Sequence, residues 1–303
     1  MNNEPLVSVI MNCYNGASFI KKSISSVINQ NYKNWEIIFW DNRSTDDTYL
    51  EICKFSDTRI KYYLAEKHTT LYQARNYAIE KANGDFYAFL DVDDWWDQNK
   101  LNKQIPLFSN KMEVGLVYSN FYKYDQIKKK TFINHKKKLP SGNVTNLLLK
   151  DYNIGWLTVI IKRTFYEKLK FKFNPLYNVI GDFDLIMRLS AICEILYLDD
   201  VTGYCRWHGE NLQILQKHKL LDELDYWAID MKNENSISTL SNYSYFENNL
   251  LKMKVIHSAK NNFSNLKLSD ILKVKGFMNR VEVLLIFILP KKILKILYNE
   301  IKR

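Results

Sequence analysis

The first 95 residues alternate between two hydrophobic periods. Leu6 to Met11 is a short unbroken apolar run, as expected of a strand buried on both faces. Phe19, Ile20, Ser23, Ile24, Val27 and Ile28 then recur at helical spacing. Glu36 to Trp40, Ile60 to Leu64 and Phe86 to Leu90 read as three further strands. Between them, Ser44 or Thr45 is placed to cap a helix whose first turn carries Asp46 and Asp47, where acid suits the helix dipole. Leu71, Ala74, Ala78 and Ala82 mark another helix face, with Gly84 just past its end.

Strands alternating with helices predict an α/β fold with a mainly parallel sheet flanked by helices. In such sheets ligands bind beyond the carboxyl ends of the strands. Three polar segments fall there: Asn12 to Asn15, Asp41 to Asp46, and Asp91 to Asp94. They are distant in sequence, and the fold is expected to bring them together.

The middle of the chain is less regular. Gly115 to Phe121 and Trp156 to Lys162 are strand-like. Lys123 to Lys138 contains seven lysines and reads as an exposed loop or hairpin. Asp182 to Cys193 has helical spacing, and Ile195 to Leu198 follows as a strand. Beyond about residue 210 the pattern is helical. Its last stretch sets Ile293, Leu294, Ile296, Leu297 and Ile301 beside Lys291, Lys292, Lys295, Lys302 and Arg303. That pattern suits either a helix docked on the domain or an interfacial helix on an anionic membrane.

Composition narrows the classes. With 303 residues, 47% hydrophobic and 25% charged, the chain is an ordinary globular protein, one large domain or a domain with an appendage. Its net charge of +10 points to an anionic partner. Cys13, Cys53, Cys193 and Cys205 lie far apart without a CxxC pair, so neither a disulfide framework nor a zinc site is expected, and a reducing compartment fits. The start lacks a basic segment followed by an apolar one, so no signal peptide is expected. Val283 to Leu289 is too short to span a bilayer. In a cytoplasmic protein the Asn143–Thr145 acceptor triplet carries no meaning.

The chemistry gathers at Asp91, Asp93 and Asp94. Carboxylates this close repel unless a cation neutralises them, and Mg2+ or Mn2+ typically takes one or two carboxylates plus phosphate oxygens. The plainer reading makes Asp94 or Asp97 a helix cap. Strand one is followed by CYNGAS, with one glycine, and no GxxxxGK[ST] occurs, which disfavours a dinucleotide-binding domain and a P-loop. The turn Asp41 to Asp46 offers side-chain oxygens to a base or ribose, or forms an Asx turn.

VSVIMNCYNG, FWDNRSTDDT, ARNYAIEKANGDFYAFLDVDD and IGDFDLIMRL, in this order, resemble glycosyltransferase family 2 over about residues 5–210. The resemblance implies a GT-A fold and inverting transfer from a nucleoside-diphosphate sugar, aided by Mn2+ or Mg2+. It implies a glycosyltransferase domain at 1–210, with the nucleotide-sugar half at about 1–95 and the acceptor half at about 96–210, and a helical region at 211–303. Carried over by position, Asp91 meets the ribose and its neighbours and Asp93 binds the metal. Tyr14, Asn15, Asp41 and Asn42 hold base and ribose. Asn42 stands where the family usually has a second aspartate, which leaves the base open, with UDP the default and dTDP and GDP alternatives. Arg75 falls near the diphosphate or the Asp91 loop. Lys67 to Leu71 lacks the glycine common there.

Asp182 corresponds to the general base, which would take the acceptor hydroxyl's proton opposite the leaving group. The plainer reading of Asp182 is a helix cap. Asp184 is the alternative base, turned away by a helical step, and Arg188 is expected to pair with a carboxylate. His208, in RWHGEN, matches a position near the diphosphate or metal. Trp156 and Trp207 suit either a sugar face or the core. The expected partners are the sugar nucleotide, a glycan or lipid-linked glycan acceptor, and an anionic membrane surface reached through the C-terminal basic helix, on the inner face of the cytoplasmic membrane. A nucleotidyltransferase would show a glycine-rich basic stretch after strand one, which is absent. A nucleic-acid-binding module is motivated by the lysine run, but no aromatic-basic RNA motif or helix-turn-helix signature supports it, and no nucleic-acid partner is expected.

Overall fold

The computed structural model describes residues 4–109, 111–208, 216–234, 237–261, 273–276 and 283. The chain divides into two compact units, Met1–Gln216 and Lys217–Arg303.

The first unit is built on a nine-stranded sheet. Four strands are parallel: β1 (Val7–Cys13), β2 (Trp35–Asp41), β3 (Ile60–Leu64) and β4 (Phe86–Phe89), in the order β3-β2-β1-β4. Every residue of β1, β2 and β4 is buried, because helices cover both faces, so these strands read as continuous apolar runs rather than alternating ones. The helices are α1 (Ala17–Ile28), α2 (Thr48–Cys53) and α3 (Leu71–Glu80). Ile20, Ile24 and Val27 of α1 pack into the core formed by Val9, Met11, Ile37 and Phe39.

Two sequence expectations change here. The second helix begins at Thr48, and Asp46 organises its start by accepting from Thr48 N (3.1 Å) and Ala17 N (3.0 Å). Gly84 is not a left-handed helix cap. It is there because a Cβ would lie 2.6 Å from Ser8 N, and its own N–H donates to Ser8 Oγ (2.8 Å).

Beyond β4 the sheet becomes mixed. The strands are β5 (Trp95–Trp96), β6 (Val114–Asp125), β7 (Lys130–Ile133), β8 (Ile160–Lys162) and β9 (Glu194–Trp207). β8 runs antiparallel to β4 and β6, whereas β6 and β9 are parallel. β9 is a 14-residue strand, far longer than the apolar run Ile195 to Leu198 indicates, because its second half is an irregular ladder carrying polar side chains. The lysine-rich segment is a hairpin, with β7 on β6. The helix over the acidic motif runs Gly181–Ser190. Lys100 is fully buried and donates to Thr158 O (2.9 Å) and to Gln104 Oε1, and burial holds it well below the usual lysine range.

The second unit pairs helices Lys217–Glu234 and Tyr243–Asn261. Trp227 is fully buried against Phe246, with ring centroids 5.2 Å apart, and the Tyr243 hydroxyl donates to Ala228 O. Residues 284–303, which hold the basic amphipathic pattern, lie outside the described residues. No described helix is long and apolar enough to cross a membrane. All four cysteines are unpaired.

Candidate active site

The carboxyl ends of β1, β2 and β4 are in register, with Cys13 opposite Asp41 and Leu90 N donating to Ile10 O. The three polar loops therefore start from one edge. Gly16 permits their contact: a Cβ there would lie 2.7 Å from Cys13 Sγ and 2.8 Å from Val92 Cγ2. The loop after β1 thus rests directly on the acidic loop after β4.

On the β2 side the polar groups are engaged by the fold. Asp41, 2% exposed, accepts from Ser44 N (2.7 Å) and the Tyr62 hydroxyl (2.8 Å). Asn42 receives Thr69 N (3.2 Å) and donates to Thr69 O (2.8 Å). Asn15 adopts a left-handed φ of 55° and accepts from Thr45 N (2.8 Å). Tyr14 stands out at 52% exposure, 4.3 Å from the ring of His68, whose Nδ1 lies 2.9 Å from Asn42 O. Tyr14 and His68 are the exposed ring pair of this rim; sequence reading singled out Tyr14 and passed over His68.

Arg75 is buried and donates from Nη2 to Asp91 Oδ1 at 2.7 Å. Its guanidinium lies over the rings of Trp156 and Tyr72, 5.0 and 5.3 Å from their centroids. Trp156 itself is core, packed on Phe89. Asp93 lies 3.2 Å from His208 Nε2. Burial first, and the charge of Asp91 second, push Asp93 up, which leaves a carboxylate short of positive charge. Asp94 is buried and accepts from Arg206 N (2.8 Å), and Arg206 Nε donates to Asp93 O (2.8 Å). Arg206 also lies over the rings of Phe19 and Trp95. In the sequence Arg206 is the arginine of the RWHGEN segment, where only His208 was given a role.

Asp182 closes the far side. Its Oδ1 accepts from Phe183 N (2.8 Å) and from the Tyr72 hydroxyl (3.3 Å), which also meets Val179 O (2.9 Å). Among the described residues Oδ2 has no hydrogen-bond partner. Burial raises Asp182 above the usual carboxylate range, with Arg75 opposing. Gly181 lets Tyr72 in, since a Cβ at 181 would sit 2.6 Å from that ring. Asp184 is bound to Arg188 at 2.6 Å, as the helical spacing implied. Nearby, the Tyr152 hydroxyl and the Trp156 indole N–H are buried without a hydrogen-bond partner among the described residues. Burial first, and Asp182 second, push the Tyr152 phenol well up.

A continuous chain of contacts thus runs from Asp182 through Tyr72 and Arg75 to Asp91, and across one turn to Asp93 and His208. Carboxylate and imidazole meeting at one point fit a divalent cation. Among the described residues no three Asp, Glu, His or Cys side chains gather into a complete ligand set.

The sequence profile of Glycosyl transferase family 2 matches residues 8–188. The Escherichia coli protein named UDP-Glc:alpha-D-GlcNAc-diphosphoundecaprenol beta-1,3-glucosyltransferase WfgD is 40% identical over 171 residues, covering 56% of this chain and 66% of its own length. The putative teichuronic acid biosynthesis glycosyltransferase TuaG of Bacillus subtilis is 36% identical over 168 residues, covering 54% and 64%. The matched region is thus just under two-thirds of the length of these relatives. S. aureus TarS 1-349 in complex with UDP superposes with a TM-score of 0.64 at 17% identity, covering 91% of this chain and 80% of that one. The mannosyltransferase PcManGT from Pyrobaculum calidifontis, in complex with GDP-Man and Mn2+, gives 0.62 at 15% identity, covering 94% and 85%. The fold is therefore GT-A, and the chain belongs to glycosyltransferase family 2.

Proposed function

We propose that this glycosyltransferase moves a sugar, with inversion, from a nucleoside-diphosphate sugar to a hydroxyl of a bacterial surface polysaccharide or lipid-linked glycan. UDP is the nucleotide we favour, and residues 1–210 are the catalytic domain. The observation that carries the proposal is the contact chain linking Asp182 to the Asp91, Asp93 and His208 cluster. The name of WfgD, with its UDP-Glc donor and diphosphoundecaprenol-linked acceptor, supports the donor and acceptor classes. The neighbour bound to GDP-Man and Mn2+ supports a metal and keeps GDP in play.

Each residue has a task in this reading. Asp93 and His208 would hold Mn2+ or Mg2+. When bound, that cation supplies positive charge against the departing diphosphate. Tyr14 and His68 offer ring faces to the base. Asp41, Asn42 and Asn15 fix the loop behind them. Arg75 holds Asp91 in place, leaving its second oxygen for the donor. Asp182 Oδ2 takes the proton from the acceptor hydroxyl, while Tyr72 and Phe183 N steady Oδ1.

The test is a thermal-shift screen of UDP, GDP, dTDP and CMP, each with and without Mn2+. Stabilisation by UDP only when metal is present, lost in Asp93→Asn, is the expected result. A shift that ignores the metal would overturn the cation's role; a shift with CMP alone would overturn the donor class.

A further inference from the structure

The β6–β7 hairpin is more than a solvated edge. From Gln126 to Lys138 it carries six lysines and no acid. A surface that only needed solubility would mix signs and avoid large apolar side chains. Here Ile127 is 79% exposed, Phe132 53% and Ile133 41%.

The pairing sorts these groups by face. Lys123 lies opposite Phe132, and Asp125 opposite Lys130. On the other neighbour, Asp125 pairs with Trp207. Directly opposed residues share a face. Lys123, Lys130, Phe132 and Trp207 therefore stand together around Asp125, whose charge is met by Lys128 at 3.6 Å. Trp207 is 48% exposed, with the Lys123 ammonium 5.7 Å from its ring centroid. The tip is a built turn: Asp125 Oδ1 accepts from Ile127 N (3.1 Å) and Lys128 N (2.9 Å), and Lys129 takes a left-handed φ of 50°.

Exposed Trp and Phe ringed by lysines is the chemistry of a membrane–water interface, with rings at the headgroup level and ammonium groups on anionic phosphates. We propose that this hairpin, with Trp207, seats the enzyme on an anionic lipid surface. The placement has a purpose that rests on the function proposed above. Trp207 is followed directly by His208, so lipid at this face would hold the active site close to the membrane that carries a lipid-linked acceptor. Nucleic acid would suit the lysines and the rings but not the exposed aliphatic Ile127 at the tip, which a lipid surface would bury.

The test uses the full chain and two vesicle compositions, phosphatidylcholine alone and phosphatidylcholine with phosphatidylglycerol. Sedimentation should show partitioning onto the anionic vesicles only. Lys128→Gln/Lys130→Gln/Lys136→Gln should weaken it by about fivefold per lysine, and so by about a hundredfold in all. Ile127→Ser/Phe132→Ser should bind at low salt but release at high salt, where the wild type stays bound. Metal-dependent hydrolysis of the sugar nucleotide without acceptor should be unchanged in both variants. That readout also shows that they are folded, and it separates failure of the docking surface from failure of the enzymatic reading. Equal partitioning of wild type and the lysine variant, or none by the wild type, would overturn the proposal. So would binding to an RNA homopolymer with no contribution from Ile127 and Phe132.

Discussion

The two sides of the cleft hold their polar groups by different means. On the parallel side the bonds are short in sequence: Asp41 to Ser44 spans 3 residues, Asn42 to Thr69 spans 27, and Asn15 to Thr45 spans 30. On the mixed side they are long: Tyr72 to Asp182 spans 110, Arg206 to Asp94 spans 112, and His208 to Asp93 spans 115. The nucleotide rim is therefore a locally built platform, whereas the reacting groups are assembled by the fold as a whole. Changes on the first side should act through stability, and changes on the second through catalysis.

The largest expected effect belongs to Asp182→Asn. Turnover should fall by about a thousandfold while UDP binding, followed by calorimetry, stays within about twofold. Burial raises this carboxyl, so the folded chain holds its proton more tightly than the unfolded chain. Stability is then lost as pH rises from the ordinary carboxylate range through the folded value. The asparagine variant avoids that loss and should melt higher than wild type at pH 8, with the advantage shrinking toward pH 4. Loss of binding together with turnover would place the base elsewhere.

Next comes Arg206→Met. It removes the grip on Asp93 O while leaving every proposed ligand in place. Activity should drop by about ten- to a hundredfold, with a matching rise in the Mn2+ concentration needed for half-maximal rate. An unchanged metal requirement would show that Arg206 serves packing alone.

Asn42→Ala sharpens the other half of the contrast. It strands Thr69 N and O, so denaturant unfolding should report a loss of about 2 kcal/mol. The Mn2+ requirement should not move, and a large change in it would blur the distinction between the two sides.

Tyr72→Phe should have the smallest effect, about fivefold in turnover. The hydroxyl's donation favours the ionised form of Asp182. Without it the acidic limb of kcat/KM should move to higher pH, a shift that a purely structural tyrosine would not produce.

The same division explains what could be read in advance. The parallel strands were legible because both faces are buried and their residues run unbroken. Asp91 and Asp93 stood out because acid follows apolar sequence abruptly, and Asp182 through the family resemblance of its segment. Tyr72 did not, since a tyrosine in a helix has no local mark of a carboxylate 110 residues away. The role of Arg206 did not, because β9 outlasts its apolar run and carries the arginine to a carboxylate 112 residues away. Gly84 was misread because crowding against Ser8, not backbone handedness, requires it.

Gly181 has a wider implication. The Tyr72 ring fills the volume that any side chain at 181 would occupy. The two positions therefore compete for one space. Enlarging either residue alone displaces the other, so redesign of this corner has to exchange bulk between helix α3 and the base as a matched pair.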